Sequence, residues 1–241
     1  MISAIQRNFY RLGPAFAYVR TSLIKERSRA LMCMLGILLP LILFVALADT
    51  ISNSSWIALE RTMLWSLRVE TESMLSQFAV WLSMLVTVIS VCILCYLLYR
   101  QQWRTALFWL CSVSGAAMMG NIMKGTIQRA RPELWLDAPD TSFGFPSGHA
   151  THSMAIVITL LVLLRLSSWH KVVLLSGFLF AALVGLSRMY LGYHYPSDII
   201  AGWMVALCWV MTLRILFNHN YLTLQAGQDT VLHFLHKKFL L

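Results

Sequence analysis

The sequence predicts an all-α polytopic membrane protein, with six transmembrane helices packed in one bundle. Three observations carry this. Of the 241 residues, 59% are hydrophobic and only 12% charged, against about 45–50% and about 25% in soluble domains. The apolar runs are long and continuous, without the ten-residue alternation of a membrane β-barrel. The Lys and Arg residues lie unevenly between the loops of alternate sides.

The six spans read as 30–48, 76–99, 105–123, 149–166, 171–188 and 198–217. They give three parts: a basic amphipathic segment at 1–29, a six-helix membrane domain at 30–218 and an amphipathic tail at 219–241. Ala46-Leu47-Ala48 before Asp49 resembles a signal-peptidase site, but the basic segment ahead of it is long for a signal peptide, so the first span is read as uncleaved. Residues 56–75 place Trp56, Leu59, Met63 and Leu67 at helical spacing, the pattern of an interfacial helix on the outer surface. Small residues recur in the spans (Ala116 and Gly120; Gly177, Ala181 and Gly185; Gly202 and Ala206) and read as close helix packing.

The net charge of +9 is informative through its distribution. Thirteen of the nineteen Lys/Arg fall on the side holding both termini, with two acids, Glu26 and Asp229; the other side holds six Lys/Arg and eight acids. The positive-inside rule puts both termini in the cytoplasm of a multi-pass cell (inner) membrane protein. The loops 49–75, 124–148 and 188–198 then face the periplasm or exterior. No nucleic-acid partner is implied, and no obligate protein partner is evident. Cys33, Cys92, Cys95, Cys111 and Cys208 all fall in apolar runs and read as buried and inert.

The outward stretches concentrate the polar chemistry. "KGTIQRARP" places Lys124 and Arg131 seven residues apart, on one helical face. In "GFPSGH", Pro146 suits a helix's first turn, Ser147 and Gly148 leave room for a ligand at the backbone, and His149 stands beside the anion site that a helix start provides. "SRMYLGYHYPSD" supplies Arg188, His194 and Asp198, with Pro196 opening the last span and Asp198 four residues beyond His194. A cationic clamp with backbone N–H groups suits a transferring phosphoryl group. Two histidines can divide nucleophilic and acid roles, and an aspartate can orient one of them.

Lys124-x6-Arg131-Pro132, Pro146-Ser147-Gly148-His149 and Ser187-Arg188-x5-His194-x3-Asp198 together resemble the three motifs of the type 2 phosphatidic acid phosphatase superfamily, which includes glucose-6-phosphatase, vanadium haloperoxidases and bacterial class A acid phosphatases. The resemblance covers residues 124–198 and departs from the pattern at no motif position. It implies that His194 is the nucleophile forming a phosphohistidine and that Asp198 holds its ring. It implies that His149 protonates the leaving oxygen and then activates water. Lys124, Arg131 and Arg188 would neutralise the phosphoryl oxygens, with the N–H groups of Ser147 and Gly148. It implies no metal and no other cofactor.

The expected activity is hydrolysis of a membrane lipid phosphate or diphosphate at the outer face. Undecaprenyl diphosphate, phosphatidylglycerol phosphate and phosphatidic acid are the candidate substrates. A lipid phosphotransferase is the main alternative; a transporter, an inactive scaffold and a haloperoxidase are remoter ones. Glu133, Asp137 and Asp140 read as loop residues, His152 as a buried and satisfied histidine, and Arg129 as widening the basic mouth for a second phosphate.

Overall fold

The computed structural model describes residues 27, 30–67, 74–132 and 142–217, and is all-helical across them. Glu133, Asp137, Asp140, nearly all of the 1–29 segment and residues 218–241 lie outside the described residues. Seven helices follow in chain order: α1 (Ala30–Thr50), α2 (Ser54–Ser66), α3 (Met74–Tyr99), α4 (Trp103–Ile127), α5 (Gly148–Leu163), α6 (His170–Tyr190) and α7 (Pro196–Leu216). Among the described residues, α1, α3, α4, α6 and α7 are long and apolar enough to cross a membrane; α5 is apolar but shorter. The chain is a multi-pass membrane protein.

Helix α5 is the hub. It packs mainly against α7, α6 and α4, and its buried residues include Ala150, Met154, Ala155, Val157 and Val162. Unlike a surface helix, which keeps one polar face, it is apolar on all sides and so needs neighbours all round. Close approach is bought by glycine. A methyl group on Gly202 of α7 would meet the Ser147 carbonyl oxygen at 2.8 Å, and one on Gly177 of α6 would meet Val157 Cγ1 at 2.9 Å. The small-residue rows read from the sequence thus lie at helix contacts.

Helix α1 carries a π-helical turn at Met34–Leu38, directly before Pro40. Proline lacks an N–H and crowds the preceding turn, and the wider π turn sits where that crowding falls. Phe44 of α1 meets Phe145 with ring centroids 5.5 Å apart, in a small core with Ile51, Ala201 and Val205.

Helix α2 starts at Asn53, whose side chain accepts the Ser55 N–H at 3.0 Å, a cap contributing about 1 kcal/mol. The apolar row Trp56, Leu59, Met63 and Leu67 is exposed, as suits an outer face in contact with lipid. The face turned inward carries Glu60 and Leu64 instead.

The cysteines depart from the sequence reading. None is fully buried, and Cys92 and Cys95 are exposed on α3. Long apolar runs were read as core, whereas a membrane helix turns half its apolar surface to lipid.

Candidate active site

The site is built where α4, α5, α6 and α7 end or begin on one side of the bundle. Helix α4 stops because Gln128 adopts a left-handed conformation, φ 54°, while its N–H still reaches the Lys124 carbonyl at 3.0 Å. That turn leaves Lys124 on the last helical turn and sends Arg129 and Arg131 off in new directions. The Gly144 N–H then ties the returning chain to the Arg129 carbonyl at 2.7 Å.

Helix α5 begins at Gly148 with Ser147 as its cap residue. Pro146 therefore lies ahead of the cap, not in the first helical turn where the sequence reading put it. The Ser147 N–H donates to the Asp198 carbonyl at 2.9 Å, so it is committed to the fold. The Ser147 hydroxyl is buried and has no hydrogen-bond partner among the described residues. The free backbone donors of this helix start are those of its first turn, from Gly148 onward. A Cβ on Gly148 would stand 3.9 Å from Lys124 Nζ, which places the amine at the helix start.

Helix α6 ends at Tyr190, and the chain reverses through Gly192 at φ 69°, a left-handed position that glycine occupies without strain. The Tyr193 N–H closes the turn on the Arg188 carbonyl at 3.1 Å. His194 and Tyr195 follow, and Pro196 opens α7. Asp198 sits in the first turn of α7, and its Oδ2 accepts the Tyr195 N–H at 2.8 Å. The same oxygen faces His194 Nδ1 at 3.4 Å. This is long for a hydrogen bond, in the range that catalytic pairs show without substrate. Both side chains are buried. With Nδ1 turned to the carboxylate, Nε2 is the ring nitrogen available to a ligand. Burial pushes the His194 pKa below its usual value, against the pull of Asp198 and with the help of Arg131 and Lys124.

The predicted cations gather around this pair. Lys124 and Arg131 lie within electrostatic reach of His194, and Arg188, His194 and Lys124 within reach of His149. Arg131 donates to the Ser142 carbonyl at 3.0 Å, the Ser142 hydroxyl at 2.7 Å and the Tyr193 carbonyl at 3.2 Å. Arg188 donates to the Ser83 hydroxyl of α3 at 2.9 Å, and its Nε is buried without an acceptor among the described residues. The Tyr193 ring contacts both guanidiniums, its centroid 5.7 Å from Arg131 and 4.8 Å from Arg188. All eight residues singled out from the sequence therefore stand at one end of the bundle.

Arg129 does not widen the mouth. Its Nη1 donates to the Ser197 hydroxyl and to Asp198 Oδ1, both at 2.6 Å, and its Nη2 donates to Glu60 Oε2 at 2.6 Å. Glu60 Oε1 accepts the Ser197 N–H at 2.8 Å. The Tyr195 ring covers the guanidinium at 4.2 Å. Glu60 is 2% exposed and was missed in the sequence. Its signal was faint: an acid four residues from both Trp56 and Leu64, on a helix otherwise read from its apolar row.

His152 is not the satisfied core histidine that was expected. It is half-buried and its Nε2 has no partner among the described residues. It lines a groove of about 730 Å³ between α3 and α4, walled by Val91, Leu94, Trp109, Leu110 and Val113. The groove comes within one helical turn of His149.

Residues 105–221 match the family model described as the PAP2 superfamily. The chain is 31% identical over 114 residues to phosphatidylglycerophosphatase B of Bacillus subtilis, covering 45% of this chain and 56% of that protein. It is 31% identical over 125 residues to an undecaprenyl-diphosphatase of Sulfolobus acidocaldarius, covering 49% and 58%. The chain thus spans a little over half the length of these curated relatives. The fold resembles the crystal structure of a transmembrane PAP2-type phosphatidylglycerolphosphate phosphatase from Bacillus subtilis. The TM-score is 0.66 at 23% identity, over 74% of this chain and 94% of that one.

Proposed function

For a chain that carries a PAP2 superfamily domain, we propose a membrane lipid phosphatase that hydrolyses a lipid phosphate or diphosphate through a phosphohistidine on His194. The observation that carries this reading is the buried His194–Asp198 pair set among Lys124, Arg131, Arg188 and the first turn of α5. His194 Nε2 attacks phosphorus while the bond to the lipid oxygen breaks, and His149 gives that oxygen its proton. The imidazolium ring formed on His194 keeps its Nδ1 proton toward Asp198. His149, now neutral, takes a proton from water as that water attacks phosphorus, releasing phosphate and restoring His194. The three cations and the helix-start N–H groups offset the charge on the phosphoryl oxygens. Arg129 holds Asp198 by Oδ1 and Glu60 by Oε2.

The membrane setting fits a lipid substrate. The groove between α3 and α4 is mainly apolar and leads toward His149, so a tail lying in it brings the headgroup to the cations. The short α5 completes a bundle of six spans. The charge asymmetry puts the termini in the cytoplasm and the site on the periplasmic or exterior side.

The test is phosphate release by detergent-purified protein in the presence of EDTA, beside His194→Ala. Undecaprenyl diphosphate, phosphatidylglycerol phosphate, phosphatidic acid and a soluble phosphate ester form the panel. Release from a lipid that survives EDTA and disappears in the variant supports the proposal. Release that EDTA abolishes, or that His194→Ala retains, refutes the histidine mechanism.

A further inference from the structure

Asp198 divides its two oxygens. Oδ2 faces His194 Nδ1, and Oδ1 is held by Arg129 at 2.6 Å. A guanidinium at that distance weakens the pull of the carboxylate on a histidine proton. Glu60 stands on the far side of the same guanidinium, 2.6 Å from Nη2, and also binds the N–H of Ser197, the residue before Asp198. All three charged groups are buried, so they interact through protein and not through water. The cluster carries one net negative charge because Glu60 is present; without it Arg129 and Asp198 cancel.

We infer that Glu60 is a positioning residue for the proposed nucleophile: reaching in from α2, it holds Arg129 so that Asp198 keeps its orientation and charge for His194. This rests on the reading of His194 as nucleophile. Helix α2 exposes its apolar row outward and turns this one carboxylate inward, so the site is completed by an outer-surface helix that lies outside the three motifs. The groups facing His194 from the surrounding elements are Lys124 on α4, Arg131 after it, His149 on α5 and Asp198 on α7. None of these changes when Glu60 is substituted.

The test measures the pH dependence of kcat for phosphate release from the best lipid substrate, in wild type, Glu60→Gln, Glu60→Asp and Glu60→Gln/Arg129→Met. Glu60→Gln makes the surroundings of His194 more positive. The expected result is a kcat at least tenfold lower, KM within threefold, and an acid limb moved to lower pH. The double variant restores one net negative charge, so its limb returns toward the wild-type position. It leaves Asp198 Oδ1 without its guanidinium, so the thermal midpoint of each variant is measured in detergent and each limb is read on the folded fraction. Glu60→Asp keeps the charge, and its limb stays where the wild type has it. An acid limb unmoved in Glu60→Gln, with activity reduced only in proportion to folded protein, would overturn the inference, as would a double variant with a limb at or below that of Glu60→Gln. His194→Ala separates the two levels: if it retains activity, the nucleophile reading fails; if it is inactive while the limb ignores Glu60, only this inference fails.

Discussion

Arg129 and Arg188 are each 8% exposed, yet they occupy opposite electrostatic situations. Arg129 is bracketed by Glu60 and Asp198, donates to Ser197 as well, and is covered by Tyr195. Among the described residues, Arg188 has a neutral hydroxyl, Ser83, and the face of Tyr193, and its Nε has no acceptor. A guanidinium taken out of water without a counter-ion is costly. On the proposed reading, an arriving phosphate would offset that cost at Arg188 and would have nothing to offset at Arg129. The difference teaches that burial and charge alone do not mark a binding cation. What marks it is whether the fold has already supplied the anion.

Several substitutions can break this comparison. The largest effect on stability belongs to Arg129→Met, which leaves two carboxylates buried beside each other. It should lower unfolding free energy by about 3–5 kcal/mol, read as a lowered thermal midpoint in detergent. Arg188→Met should do the reverse of this pairing: stability unchanged or raised, and kcat down by about 10²–10³, the usual cost of removing one preorganised donor. Ser83 stays satisfied in that variant because its hydroxyl already donates to the Ala79 carbonyl at 2.9 Å. If Arg188→Met unfolds the protein while Arg129→Met spares it, the two roles have been reversed here.

A smaller effect is expected at the contact that sets the start of α5. Gly202→Ala would push a methyl group to 2.8 Å from the Ser147 carbonyl oxygen. Overpacking of this kind costs about 1–3 kcal/mol. It should also lower activity beyond the loss of folded protein, because the helix start moves with Ser147. Equal loss in Gly202→Ala and in a distant packing variant such as Gly177→Ala would show that the helix start is not sensitive to this contact.

The smallest effect is a shift in a pH profile. Burial keeps His194 neutral below the ordinary histidine pKa of about 6.5. The acid limb of kcat/KM, if set by this group, should therefore fall below that value. The same shift makes folding stability decline as pH drops from about 6.5, because the unfolded chain takes up the proton first. An acid limb above pH 6.5 would point to a different titrating group.

Much of the helical order was legible because apolar runs announce membrane helices directly; the sequence ranges and the observed helices differ by only a few residues at each end. The motif cations and histidines were also legible, since a cation clamp beside histidines has a chemical meaning in any order. The Glu60–Arg129 link was not. It joins residues 69 apart, and only the tertiary fold brings α2 over the helix start of α7. Ser83, 105 residues from Arg188, was hidden for the same reason. Arg129 was misread because the sequence shows its charge but not its counter-ion. Cys92 and Cys95 were misread because apolar neighbours do not distinguish a core face from a lipid face.

The most direct measurement is acid-free quenching of enzyme with a lipid substrate labelled at phosphorus, followed by mapping of any protein-bound phosphoryl group. The expected result is an acid-labile, base-stable phosphoryl group on His194, formed within the first turnover and absent from His194→Ala. Steady phosphate release from the lipid by a His194→Ala protein, with no label on that residue in the wild type, would contradict it.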